Sequence, residues 1–139
     1  MFILLLFISC TRVILIGAYD QVTDQSIQKI QSDVSSLIVK IEKNINNNDA
    51  ASNKYENFKD DYSTIEGEIE SLKIRCSSIP KYDKIIVQVN ALDTTIRDFE
   101  KAHQLGFTSK QEIETDKQIF ETDFKNMITT QNALKSEKN

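Results

Sequence analysis

From Ile27 onward, apolar side chains recur at steps of three and four residues, and the rhythm persists through four successive stretches of the chain. In the first stretch, positions 27, 30, 34, 37, 38, 41 and 45 are apolar and most intervening residues are polar, as in a helix that hides one stripe. This spacing predicts a helix from about residue 24 to residue 47. Thr23 or Asp24 is placed to cap its start, and with Thr23 as cap, Val22 and Ile27 occupy the two positions of a hydrophobic staple. Asn46-Asn47-Asn48-Asp49 should stop it, because Asn and Asp bond their own backbone and tolerate left-handed conformations.

The second stretch is the most regular. Tyr55, Phe58, Tyr62, Ile65, Ile69, Leu72, Cys76 and Ile79 alternate the two steps without a miss, which is a heptad seam. Acidic residues crowd its first two-thirds, and Lys73 and Arg75 close it, an order that complements the helix dipole. Ser77-Ser78-Ile79-Pro80 is the strongest break, since Pro80 disfavours helix at Ile79 while suiting the first turn of a new one. The third seam runs Tyr82, Ile85, Val89, Leu92, Ile96, Phe99, His103, with Gly106 as a C-cap of positive φ. Ser109-Lys110-Gln111-Glu112 matches a capping box for a fourth helix, in which Ile113, Phe120, Met127 and Leu134 lie seven apart, supported by Ile119, Phe124 and Ile128. Four one-sided helices joined by short turns predict an all-α fold, an antiparallel up-down-up-down four-helix bundle with coiled-coil-like seams. The same seams could instead close across two chains as a dimer of helical hairpins.

Composition narrows the function classes. The 139 residues suffice for one bundle domain, expected over 19–139, behind an apolar leader over 1–18. Seventeen Lys and Arg against 21 Asp and Glu give a net charge of −4, so there is no global positive field to collect nucleic acid. The two cysteines, Cys10 and Cys76, show no metal-ligand spacing.

Phe2 to Ile8 is a compact apolar block of the export-signal kind. As a membrane span, residues 2–18 fall short of the ~20 apolar residues needed and carry Arg12 near the middle. Phe7-Ile8-Ser9-Cys10, an apolar run ending in a small residue and then Cys, resembles a bacterial lipoprotein signal, which implies that Cys10 becomes an acylated first residue. Cleavage after Ala18, preceded by Ile16 and Gly17, is the rival expectation and would leave Tyr19 first. The Tyr19-Asp20-Gln21-Val22-Thr23-Asp24 segment is similar to small uncharacterised bacterial envelope lipoproteins, in which Tyr-Asp-x-x-Thr-Asp follows the signal and helices follow that. The resemblance implies a helical envelope protein and assigns no chemistry.

No residue constellation argues for catalysis. Glu100-Lys101-Ala102-His103 has the Glu-x-x-His step of di-iron bundles, but those need the step twice and this chain has one histidine. A helix-end histidine favouring the dipole is the plainer reading of His103. Cys76 and His103 belong at opposite ends of the bundle, too far apart for a nucleophile and its base. Asp60 with Asp61, or Asp20 with Asp24, reads as solvated charge. Phe107, in the turn beside Gly106, is either a plug over the helix ends or a contact for a partner.

The resulting expectation is an exported structural or interaction protein of the bacterial cell envelope, without enzymatic activity, cofactor or metal. It would be membrane-anchored on the periplasmic side through a lipid on Cys10. An unidentified envelope protein would meet the far pole at Asn47, Asn48 and Phe107. The alternative is a soluble periplasmic or secreted protein that holds a small ligand or metal between its helices near His103.

Overall fold

The computed structural model describes residues 17–107 and 109–137. Four helices follow one another: α1 (Gln21–Asn46), α2 (Lys59–Ser77), α3 (Asp83–Leu105) and α4 (Lys110–Glu137). A single 3-10 turn, Tyr55–Asn57, precedes α2. Each helix packs against its sequence neighbour and α4 returns against α1, so the four close into an antiparallel ring within one chain. No strand occurs among the described residues. At 1.5 Å per residue the 26-residue α1 is about 39 Å long, which sets the height of the bundle.

The seams read from the spacing form the core. Ile30, Ile41, Ile69, Cys76, Ile85, Val89, Leu92 and Ile96 are completely buried, and the residues around them are nearly so. Each fully buried Ile, Leu or Val contributes roughly 1.5–3 kcal/mol by leaving water, and that collective term holds the ring closed. Ion pairs between neighbouring helices lie outside this core: Lys40 with Asp61, Lys73 with Asp93, and Lys117 with Glu42. Lys40–Asp61 and Lys117–Glu42 are the more exposed and serve alignment more than stability, whereas Lys73–Asp93 is partly buried.

Helix boundaries depart from expectation in three places, each for a physical reason. Helix α1 starts at Gln21, and its cap is Asp20, whose carboxylate accepts from the Thr23 backbone N–H at 2.8 Å. Thr23 and Asp24 are therefore buried first-turn residues, and Val22 is half exposed within the helix, so the expected cap and staple do not form. Helix α2 starts at Lys59, because Asn and Asp side chains hold residues 47–58 as a loop: the Asn44 amide donates to Ser52 O, the Asn57 amide to Ala51 O and Ser52 O, and Ser52 N–H to Asp49 Oδ1. Helix α3 starts at Asp83, since Lys81 has φ 65° and a left-handed residue cannot continue from Pro80 into a helix. The expected left-handed turn does form at Asn48 (φ 53°), and Gly106 has φ 87°.

On α4 the buried residues are Ile113, Phe120, Phe124, Met127, Thr130, Gln131 and Leu134, while Ile119 is 44% exposed and Ile128 only partly buried. From Phe120 onward the steps of four and three bring Gln131 to the core, where an apolar residue would be usual. Neither of its amide atoms has a hydrogen-bond partner among the described residues.

Candidate functional site

The two ends of the bundle differ in chemistry. The far pole carries the 47–58 loop and the α3–α4 turn, and it is organised around His103. Near the end of α3 this side chain is only 3% exposed. One ring nitrogen, Nε2, lies 2.8 Å from the Asn53 carbonyl oxygen, and Nδ1 lies 3.0 Å from the Tyr62 hydroxyl. A carbonyl only accepts, so Nε2 carries the hydrogen, and Nδ1 accepts from Tyr62. Both nitrogens are thus committed, which leaves no lone pair for a metal.

Aromatic rings close over this pair of bonds. Phe107 stacks on His103 with ring centres 5.0 Å apart, Phe58 lies 5.0 Å away on another side, and Phe107 also meets Phe99 at 5.2 Å. Burial depresses the imidazole's pKa below its ordinary value, opposed in part by the bond to Asn53. His103 therefore stands at the helix end as expected, but as a neutral clasp that ties the 47–58 loop to α3 and not as a charge that complements the dipole. Tyr55 reaches across to Glu100 through its hydroxyl, adding a second tie between loop and helix. Of the three residues expected to meet a partner, Asn47 and Asn48 are exposed at the loop's beginning, whereas Phe107 is half-buried with its ring engaged by His103 and Phe99.

The near pole gathers residues 17–20, the α2–α3 turn and the end of α4. Asp20 is its hub. Besides capping α1 it accepts from the Thr23 hydroxyl at 2.7 Å, and its carboxylate receives the Arg75 guanidinium on both oxygens, at 2.6 and 2.7 Å. Arg75 holds the Asp20 carboxyl well below the usual carboxylate range. The Tyr19 hydroxyl donates to Asp24 Oδ2 at 2.8 Å, while Lys135 of α4 stands 5.8 Å over the Tyr19 ring. The Gln28 amide donates to the other Asp24 oxygen at 2.9 Å.

All four named positions of the Tyr-Asp-x-x-Thr-Asp segment thus take part in two adjoining sets of side-chain bonds, Asp20 with Thr23 and Arg75, and Tyr19 with Asp24 and Gln28. Asp20 and Asp24, expected to be solvated charge, are instead occupied in structural bonds, and Asp24 is buried. Asp61 pairs with Lys40, and its neighbour Asp60 stands exposed.

One step further toward the N-terminus, the backbone itself docks. The Gly17 N–H donates to the Lys81 carbonyl at 2.9 Å, and the Tyr82 hydroxyl donates to the Ala18 carbonyl at 2.8 Å. The ordered contacts thus reach two residues into the stretch expected to form the leader. Cys76 lies at this pole, fully buried, with its thiol pKa raised by burial. It sits at the opposite end from His103, as the spacing predicts. Cys10, the candidate acylation site, lies outside the described residues.

Shallow grooves mark the surface of the described residues. One of about 320 Å³ runs between α1 and α2 past Ser26, Ser63, Gly67 and Ser71, and one of about 110 Å³ runs between α1 and α4 past Val34, Ile38, Phe120 and Phe124. His103 lines neither. Among the described residues no group of three or more His, Cys, Asp or Glu side chains is placed to hold a metal ion, and no helix is long and apolar enough to cross a membrane.

Sequence reasoning found the helical faces but not the partners of Asp20, His103 and Tyr82, which lie 55, 50 and 64 residues away. Comparison of the chain with protein families, with curated proteins and with solved structures finds no match.

Proposed function

We propose that this protein is a lipid-anchored helical interaction module of the bacterial cell envelope, tethered through Cys10 and without catalytic activity. The observation that carries the reading is the docking of Gly17 and Ala18 at the near pole, which puts the junction between leader and bundle at that end. Seven residue steps separate Cys10 from Gly17, a reach of at most ~25 Å. A lipid on Cys10 therefore keeps the near pole beside the membrane and holds the far pole, with Asn47, Asn48 and the turn around Phe107, about a helix length further out. The lipoprotein-like Phe7-Ile8-Ser9-Cys10 and the net charge of −4 are in keeping with an anchor and an adaptor.

The test is metabolic labelling with radiolabelled palmitate in a bacterial host, comparing the wild-type chain with Cys10→Ala and following both through membrane fractionation. Label in the membrane fraction that disappears with Cys10→Ala supports the anchor. An unlabelled wild-type protein in the soluble fraction refutes it.

A further inference from the structure

We infer that Gly17 to Asp20 form a permanent strap of the mature protein, so that any processing of the apolar leader takes place N-terminal to Gly17 and the Ala18–Tyr19 bond stays intact. The bond in question has the small-residue setting that export peptidases favour. Its hydrolysis would add water across the amide, leaving Ala18 as a carboxylate on the departing piece and Tyr19 as the new ammonium terminus. Three observations argue that this does not happen.

The first is shape. Gly17 is buried against the α2–α3 turn, and a Cβ at this position would lie 2.4 Å from the Pro80 carbonyl oxygen and 2.6 Å from Tyr82 Cδ1. Backbone and ring approach each other as closely as they do only because residue 17 has no side chain. A discarded leader has no such shape to match.

The second is polar pairing. Tyr82 is 1% exposed, and burial pushes its phenol up to about 12. Its hydroxyl donates to the Ala18 carbonyl, which leaves with the leader if the chain is cut there, as does the Gly17 N–H that the Lys81 carbonyl accepts. The third is continuity. Tyr19 and Asp20 carry on from Ala18 into bonds with Asp24 and Arg75, so residues 17–20 touch α1, α2 and the α2–α3 turn in one unbroken run.

The inference shares its carrying observation with the proposed anchor but does not require the lipid, and two measurements separate the fates of the two ideas. The first is the intact mass of the full chain after export in a bacterial host. A species beginning at or before Gly17 is expected, with or without a lipid on it. A cooperatively folded protein whose chain begins at Tyr19 overturns the strap. A species that retains Gly17 but lacks lipid leaves the strap standing and removes the anchor.

The second measurement is thermal melting of Gly17→Leu and Tyr82→Phe in the full chain. Gly17→Leu should lower Tm by on the order of 5 °C or more, and Tyr82→Phe, which removes only the hydroxyl, by a smaller but resolvable amount. Should Gly17→Leu prevent folding, the Tyr82→Phe shift decides alone. Melting of both variants at the wild-type temperature overturns the strap even where the lipid is found on Cys10.

Discussion

Replacement of Asp20 by Ala probes the near pole where its bonds converge. The substitution removes the α1 cap, a change that costs ~1 kcal/mol in comparable helices. It also strands the Thr23 hydroxyl, which is fully buried and donates to Asp20, and an unmet buried donor of this kind costs about another 1 kcal/mol. The expected loss is therefore roughly 2 kcal/mol, or a fall in Tm of about 8 °C for a domain of this size.

Arg75 adds a contribution of its own, which Asp20→Asn isolates: Asn is as good a cap as Asp but carries no charge. Asp20→Asn should lie between wild type and Asp20→Ala, and its deficit should shrink in high salt as the ion pair is screened. Chemical denaturation of Asp20→Ala, Arg75→Ala and the double variant completes a cycle, in which the two single losses should exceed the loss of the pair. A loss under ~0.5 kcal/mol in Asp20→Ala, or strict additivity in the cycle, would show that the network is a surface ornament and refute the reasoning.

Other consequences can be measured on the same footing. Gln131→Met keeps the length of the side chain and removes two unpartnered buried polar atoms, so it should raise stability by about 1 kcal/mol or more in urea denaturation; a loss would mean the amide is satisfied in solution. Gly67 lies inside α2 with nothing within 4 Å of an added Cβ, and Gly67→Ala should stabilise by ~0.5–1 kcal/mol on thermal melting. The folded pKa of His103 lies below the 6.5 of an exposed imidazole, so on acidification the unfolded chain takes up the proton first. Its contribution is complete above pH 6.5, declines as pH falls toward the folded pKa and levels off beneath it. A His103→Gln variant should lack that part of the Tm-versus-pH curve, and coincident curves for the two proteins would contradict the neutral clasp.

How far the sequence can be read depends on how local the cause is. The seams of α2 and α3 are legible because a one-sided helix must repeat its apolar residues every three to four positions, and Tyr62 through Cys76 and Ile85 through His103 are buried as that rule requires. The late start of α2 is hidden because Tyr55 and Phe58 continue the apolar rhythm while the intervening polar side chains bond the loop backbone. Asp20 is not recognisable as the cap without its distant Arg75, since Thr23 and Asp24 are equally good caps by residue type. The neutral state of His103 follows from the Asn53 carbonyl and the Tyr62 hydroxyl, supplied by a loop and a helix elsewhere in the chain. Gln131 is different: extending the four-three steps from Phe120 would have placed it inside, and its polar identity concealed the position.

The route of the chain into the bundle also governs how the molecule bears load. Tension drawn through the leader meets Pro80, Lys81 and Tyr82, at the middle of the sequence, before it reaches the first turn of α1. Were the leader a tether as proposed, traction along it would load the α2–α3 turn as well as the first turn of α1.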